Sequence, residues 1–155
     1  MCDGVALSWR EIPDELIGKH GLQRRLVKRG EDADREVQFL QRDRQPVLPV
    51  WAGGQLWVWT WGPGAQSRLP TNCCCNNESL EAGRWSWLEP QPVEIPASYV
   101  WHKGVWYQAV GGIRGILVYD ALGIPHVYVL TQPASHYYKV MTRSDRMPVF
   151  LGDGI

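Results

Sequence analysis

The stretch PVLPVWAGGQLWVWTW, residues 46–61, decides the fold class. Two apolar runs flank Gly53-Gly54, a pair that readily takes the positive φ angles of a two-residue hairpin turn. The segment therefore predicts two antiparallel strands, one ending at Trp51 and the other running from Leu56 to Trp61. Side chains alternate across a strand, so Trp57, Trp59 and Trp61 share one face and Leu56, Val58 and Thr60 the other. The tryptophan stripe reads as core, and only Trp61 is nominated for binding.

Downstream, short apolar runs recur between turn signals: Val93 to Ile95, Val105 to Val110, Ile113 to Tyr119, His126 to Thr131, Tyr137 to Met141 and Val149 to Leu151. The segment from Gly62 to Pro70 reads as an irregular loop. This pattern predicts a β-rich body whose sheet curls or closes into a barrel. Upstream the character changes, because residues 1–45 carry nine basic and nine acidic residues and the remaining 110 only seven of each. Pro13-Asp14-Glu15 reads as the first turn of a helix with Leu16 and Ile17 inward, stopped at Gly21 or Gly30. Ala33, Val37 and Leu40, at i, i+4, i+7, predict a second helix from about Asp32 to Gln41, with Arg35, Glu36 and Arg42 in water, ended by Pro46. The expected class is α+β: one domain over residues 1–155, with two N-terminal helices packed on a curled or barrel-like sheet.

Composition narrows the partners. Sixteen basic residues balance sixteen acidic ones in a chain of 155, which excludes a polybasic protein and leaves only a local patch to attract nucleic acid. No apolar run approaches 18 residues and no basic-then-apolar leader opens the chain, so neither a membrane span nor a signal peptide is expected. Four cysteines, three of them adjacent, indicate a reducing compartment, and the expected location is the cytoplasm.

Cys2 carries the first chemical possibility. Met1 before a small residue is normally trimmed, which leaves an α-amine, with a pKa of about 7.7 to 8.0, next to a thiol of about 8.5. This 1,2-aminothiol condenses with an aldehyde and closes a thiazolidine ring, a reaction open to no internal cysteine.

Further fragments stand in the order found in one family. Cys2 follows Met1, Trp61-Gly62-Pro63 precedes a loop, Thr71-Asn72-Cys73-Cys74-Cys75 follows it, then come Pro96-Ala97 and Ser144-Asp145-Arg146-Met147-Pro148, continued by Val149-Phe150-Leu151. In this the chain resembles the SOS response-associated peptidase (SRAP) family, whose members begin M-C-G-R and carry W-G-L, N-A-R or T-N-C-R, and H-x-R-M-P elements. The resemblance covers nearly the whole chain, and R-M-P-V is its most specific piece. It implies a DNA damage and SOS response role: binding of single-stranded DNA by a monomer, and a DNA–protein crosslink in which Cys2 captures the aldehyde of an abasic deoxyribose. It implies that Asn72 orients the sugar, Arg146 meets a phosphate with Met147 and Pro148 alongside, and Trp61, beside Gly62, stacks on an unpaired base. Self-removal of Met1, a peptidase activity, is the family's other proposed reaction.

The departures are chemical. The proton-shuttle glutamate of the family is missing from Pro96-Ala97-Ser98-Tyr99-Val100-Trp101-His102, where either Val100 or His102 takes its slot; only the latter can move a proton. The histidine before R-M-P is Ser144, the arginine of N-A-R is Cys74, and the matched region ends at Ile155 without the C-terminal helices most members carry. Two readings stay open: retained crosslinking through Cys2, or a noncatalytic DNA- or protein-binding module. A cysteine hydrolase is disfavoured, since no His/Asp partner pattern accompanies Cys2. No cofactor or metal is expected. Cys73, Cys74 and Cys75 lack C-x₂-C spacing and would alternate sides of a strand, and no histidine stands in a metal or triad spacing. The cluster Arg24, Arg25, Lys28 and Arg29 could touch a phosphate backbone, but it reads more readily as a solvated helix face offset by Glu31, Asp32 and Asp34.

Overall fold

The computed structural model describes residues 2–30 and 34–152. Its organising element is a nine-residue strand, β11 (Pro125–Pro133), whose two edges are shared by four partners. Along one edge β10 (Ile113–Tyr119) pairs with residues 125–129 and β12 (Arg146–Pro148) with residues 131–133, both antiparallel. Along the other, β5 (Gln55–Trp61) and then β6 (Cys74–Asn76) pair in parallel. With β4 (Val47–Ala52) and β7 (Gln91–Ile95), the ring β10-β7-β4-β5-β11 returns to β10 and closes as a five-stranded barrel.

The closed sheet agrees with the expected curled architecture, and the decisive hairpin forms as read. Ala52 pairs with Gln55 across Gly53 (φ 60°) and Gly54 (φ 75°). The strands of β10 and β11 are buried on both faces, which accounts for their near-continuous apolar sequence. Ile113, Leu117, Val127 and Val129 belong to the principal core, while Ile116, Val118, Tyr128 and Leu130 form a second layer with Leu69 and Trp85. Trp85 meets Tyr128 edge-on at 5.0 Å. The tryptophan stripe is corrected in part: Trp57 and Trp59 stack at 5.3 Å, with Trp57 exposed, and only Trp61 is core.

A second, antiparallel sheet runs β2 (Leu26–Lys28), β3 (Arg35–Leu40), β1 (Gly4–Ser8), β8 (Tyr99–His102) and β9 (Val105–Gln108). Here the second predicted helix is overturned: the chain from Arg35 to Leu40 is a strand, and residues 32 and 33 lie outside the described residues. Beside Val37 and Leu40 at helical spacing the segment holds Val37 and Phe39 at strand spacing, and it is Val37 and Phe39 that are fully buried in the principal core. Glu36, expected in water, is buried because Arg29 grips its carboxylate with Nε and Nη2 at 3.0 and 2.5 Å. That guanidinium also lies 3.9 Å from the centre of the Tyr99 ring, a cation–π contact that helps hold the pair off solvent.

The first helix forms as α1 (Asp14–Lys19), with Ile17 buried and Gly21 in the left-handed region ending it. The expected strand Tyr137 to Met141 is instead α3 (His136–Thr142): Ser135 Oγ caps it by accepting the Tyr138 N–H at 3.1 Å, and Tyr138 and Thr142 form its buried i, i+4 face. Val149 to Leu151 is likewise no strand; the pairing residues are Arg146–Pro148, and Phe150 makes only a bridge to Ile113. A short helix, α2 (Asn77–Glu81), sits between β6 and β7.

The strand assignment of residues 35–40 has a direct test by urea unfolding. Phe39→Ala should cost about 3 to 5 kcal/mol, whereas Arg35→Ala, at the exposed start of the same strand, should stay within about 0.5 kcal/mol.

Candidate functional site

The loop carrying the asparagine leaves and rejoins a single strand edge. Gly62 N–H donates to Val127 O at 2.8 Å, and eleven residues later Cys73 O accepts from Val129 N–H at 3.2 Å, so β5 and β6 are two halves of one edge interrupted by residues 62–73. The neck is closed by side chains. Trp61 Nε1 donates to Cys73 O at 2.8 Å, Tyr128 Oη donates to Pro70 O at 2.8 Å, and the His126 ring bridges Gly62 O and Asp120 Oδ2, each at 2.8 Å. Gly62 has φ 82° and faces the Asn72 carbonyl; an added Cβ would lie 3.6 Å from that oxygen in a backbone region that disfavours L-residues.

The N-terminal segment comes to this neck. Cys2 belongs to the principal core, against which Cys73 and Cys74 pack, and it lies near enough to both for its backbone and thiol to influence their protonation. Cys2 is thus held against the two residues that follow Asn72, whose own side chain is exposed. The Cys2 sulfur itself is fully buried and donates to Gly4 O at 3.3 Å, and burial pushes its thiol up to about 12. Cys75, turned into the second core layer, is likewise raised to about 12 by burial.

Cys73 and Cys74 correct the expectation of alternating sides. Their sulfurs lie 3.2 Å apart, because β6 begins only at Cys74 and the chain bends between the two residues. The hydrogen bond from Cys74 lowers the Cys73 thiol, while the same bond and burial hold Cys74 well above its ordinary value. Among the described residues, no group of three or more His, Cys, Asp or Glu side chains is arranged to hold a metal ion.

The two positions weighed for a proton carrier, Val100 and His102, part company. Val100 is a core residue paired with Val5. His102 is buried on the same strand with Nδ1 3.7 Å from Asp3 Oδ2 and its ring 6.2 Å from that of Tyr138. Burial raises the Tyr138 phenol, and the charges of Cys2 and Asp3 raise it further, so these groups share one polar neighbourhood.

The R-M-P element is built into the scaffold. Arg146 reaches the Glu78 carboxylate with Nη1 at 2.6 Å and Thr131 O and Oγ1 with Nη2 at 3.0 and 3.1 Å, which pulls Glu78 below the usual carboxylate range. Ser144 Oγ donates to Arg146 O and accepts from Arg146 N–H, fixing the turn after α3. Met147 and Pro148 are buried, with the Met147 thioether accepting the Ser135 N–H. Trp61, 1% exposed with its N–H bonded internally, is a clamp in this conformation, so the expected stacking face and the expected phosphate contact of Arg146 are both occupied within the protein.

Arg24 and Arg25, set aside in sequence as a solvated face, line a groove here together with Arg44, which sequence did not single out. A cavity of about 970 Å³ runs past His20, Arg24, Arg25 and Arg44 to Trp61 and Thr71, next to Asn72. Arg24 and Arg44 are exposed, and Arg25 is paired with Asp43 at 2.9 Å. The signal was present as the Arg24-Arg25 pair, but its convergence with Thr71 is tertiary. Partial burial and then the charge of Lys19 hold His20 below its ordinary value. Comparison with protein families, with curated proteins and with solved structures finds no match to this chain. Among the described residues no helix is long and apolar enough to cross a membrane.

The buried thiols set a pH dependence. Their protons are held more tightly in the folded chain than in the unfolded one, so their contribution is fully present below the ordinary thiol value of 9.0 and is lost as the pH rises toward about 12. Urea midpoints should therefore fall across that alkaline window, and Cys75→Ala should flatten the fall. In the intact chain at pH 7.5, iodoacetamide should label Cys73 at least tenfold faster than Cys2 or Cys75, as read by peptide mass spectrometry.

Proposed function

We propose that this chain is a divergent SRAP-like domain that recognises abasic sites in single-stranded DNA, with Cys2 as the capturing residue once Met1 is removed. The observation that carries the reading is the placement of residue 2 against residues 73 and 74, directly after Asn72, across about seventy residues of sequence. The order of fragments alone does not require that meeting.

In the proposed reaction the freed α-amine adds to the aldehyde carbon of the ring-opened sugar and water leaves to give an iminium. The thiol then adds to the same carbon, its proton passing to solvent, and the thiazolidine closes. Asn72, exposed at the loop's end, is suited to hold the sugar oxygen by its amide. His102 beside Asp3 is the titratable group that stands in for the missing glutamate. Arg24 and Arg44 in the groove supply phosphate contacts that Arg146, engaged with Glu78, does not.

One observation favours the second reading, a noncovalent binding module: the Cys2 sulfur is wholly buried and its thiol raised to about 12. Crosslinking requires that removal of Met1 open this site.

Incubation with single-stranded DNA bearing one abasic site, followed by denaturing electrophoresis, separates the two. A crosslinked band is expected, lost in Cys2→Ser and in a form that retains Met1, and formed about a hundredfold more slowly in His102→Gln. DNA retarded in a native gel without such a band establishes the module instead. In either case Arg24→Ala with Arg44→Ala should weaken binding and reduce the slope of log affinity against log salt by about 0.7 for each phosphate no longer neutralised.

A further inference from the structure

Two thiols remain outside the proposed chemistry. Cys73 and Cys74 are neither deep in the core, as Cys2 and Cys75 are, nor paired in a disulfide. Their sulfurs are 3.2 Å apart, and the backbone on either side is fixed. The Cys73 carbonyl takes hydrogen bonds from Trp61 Nε1 and from Val129 N–H, and Cys74 is registered on β11 opposite Val129. Two side chains that an extended strand would send to opposite faces are thus kept on one side and in contact.

From this geometry we propose that Cys73 and Cys74 form a two-electron oxidation site, a vicinal dithiol that a peroxide converts to an intramolecular disulfide. Cys73 is the attacking sulfur. Its sulfur sits at the bend just before β6 in contact with the Cys74 sulfur, so once ionised it can accept the Cys74 S–H, and a lowered thiol agrees with that role. The Cys73 thiolate attacks one peroxide oxygen, the O–O bond breaks, and the departing oxygen takes a proton, leaving Cys73 as a sulfenic acid. Cys74 then attacks the Cys73 sulfur, the S–O bond breaks, and the hydroxide leaves as water with the Cys74 proton. Two electrons and two protons pass from the thiols to the peroxide.

The geometry of the ring makes the product reversible. Consecutive Cα atoms are about 3.8 Å apart, below the span of about 4.4 to 6.8 Å that unstrained disulfides prefer, so the bond is easily reduced by a dithiol. Its formation also alters two sulfurs that pack against the core cluster holding Cys2, which ties the oxidation state of the pair to the seating of the N-terminal segment. The proposal stands apart from the DNA reading, since none of its steps uses DNA or a freed α-amine.

The test uses the native full-length protein and hydrogen peroxide. After quenching and alkylation, the tryptic peptide of residues 69–84 should carry a single alkyl group, on Cys75, and be about 2 Da lighter than the singly alkylated peptide without a link, with the bond placed between Cys73 and Cys74 by fragmentation; dithiothreitol before alkylation should restore the fully alkylated form. Cys75→Ala should leave the product unchanged, while Cys73→Ser and Cys74→Ser should abolish it. As a check that needs no variant, phenylarsine oxide, which bridges paired thiols, should protect both residues of the wild-type protein from iodoacetamide at least tenfold. A peptide that stays fully reduced, a link that uses Cys75, or no protection by the arsenical would each overturn the proposal.

Discussion

Edge pairing along β11 is the constraint from which the rest of the molecule follows. One strand of nine residues offers two rows of backbone donors and acceptors, and four other strands share them. Unpaired backbone groups in an apolar setting are costly, so every segment that satisfies part of this row is held in register with the others. The barrel closes through it, the R-M-P segment hangs on its far end, and the asparagine loop is spanned by its other edge. Arg146 completes the arrangement by joining Thr131 on β11 to Glu78 on α2.

What was legible in the sequence was what local periodicity and turn chemistry encode. Gly53-Gly54 between alternating apolar runs is a hairpin at any tertiary position, and Ile113 to Tyr119 reads as a strand from either face. The misread segments are those in which two periods coexist. Val37, with Leu40 at helical spacing and Phe39 at strand spacing, was resolved only by tertiary burial and by Arg29 neutralising Glu36 from outside the segment. Tyr137 to Met141 is rich in residues that favour strands, yet Ser135 in front of it supplies a cap, and the pair Tyr138 and Thr142 defines a helical face. β1 escaped notice because GVALS is buried on both sides and so lacks alternation.

The candidate site divides in the same way. Cys2, Asn72 and the position of His102 were found as residue types in order along the chain, and folding brings the first of these to the residues after the second. The roles of Trp61, Arg146, Ser144 and Met147 were not legible, because they depend on partners distant in sequence: Cys73, Glu78, the local turn and Ser135. Residues picked out as contacts for a ligand here brace the framework. Of the residues that line the groove, Arg24 stood in a basic cluster whose meeting with Thr71 is tertiary, and Arg44 carries no pattern of its own.

Residues 62–73 begin and end on neighbouring rungs of the same ladder, so their length has little leverage on the barrel. Such an excursion can lengthen, shorten or change composition while the feet at Val127 and Val129 stay planted, and the entropic cost of a longer closed loop grows only slowly with its size. The scaffold therefore tolerates drift at the segment that would face a ligand, and a graft of foreign sequence between those two feet is the natural place to give this architecture a different specificity.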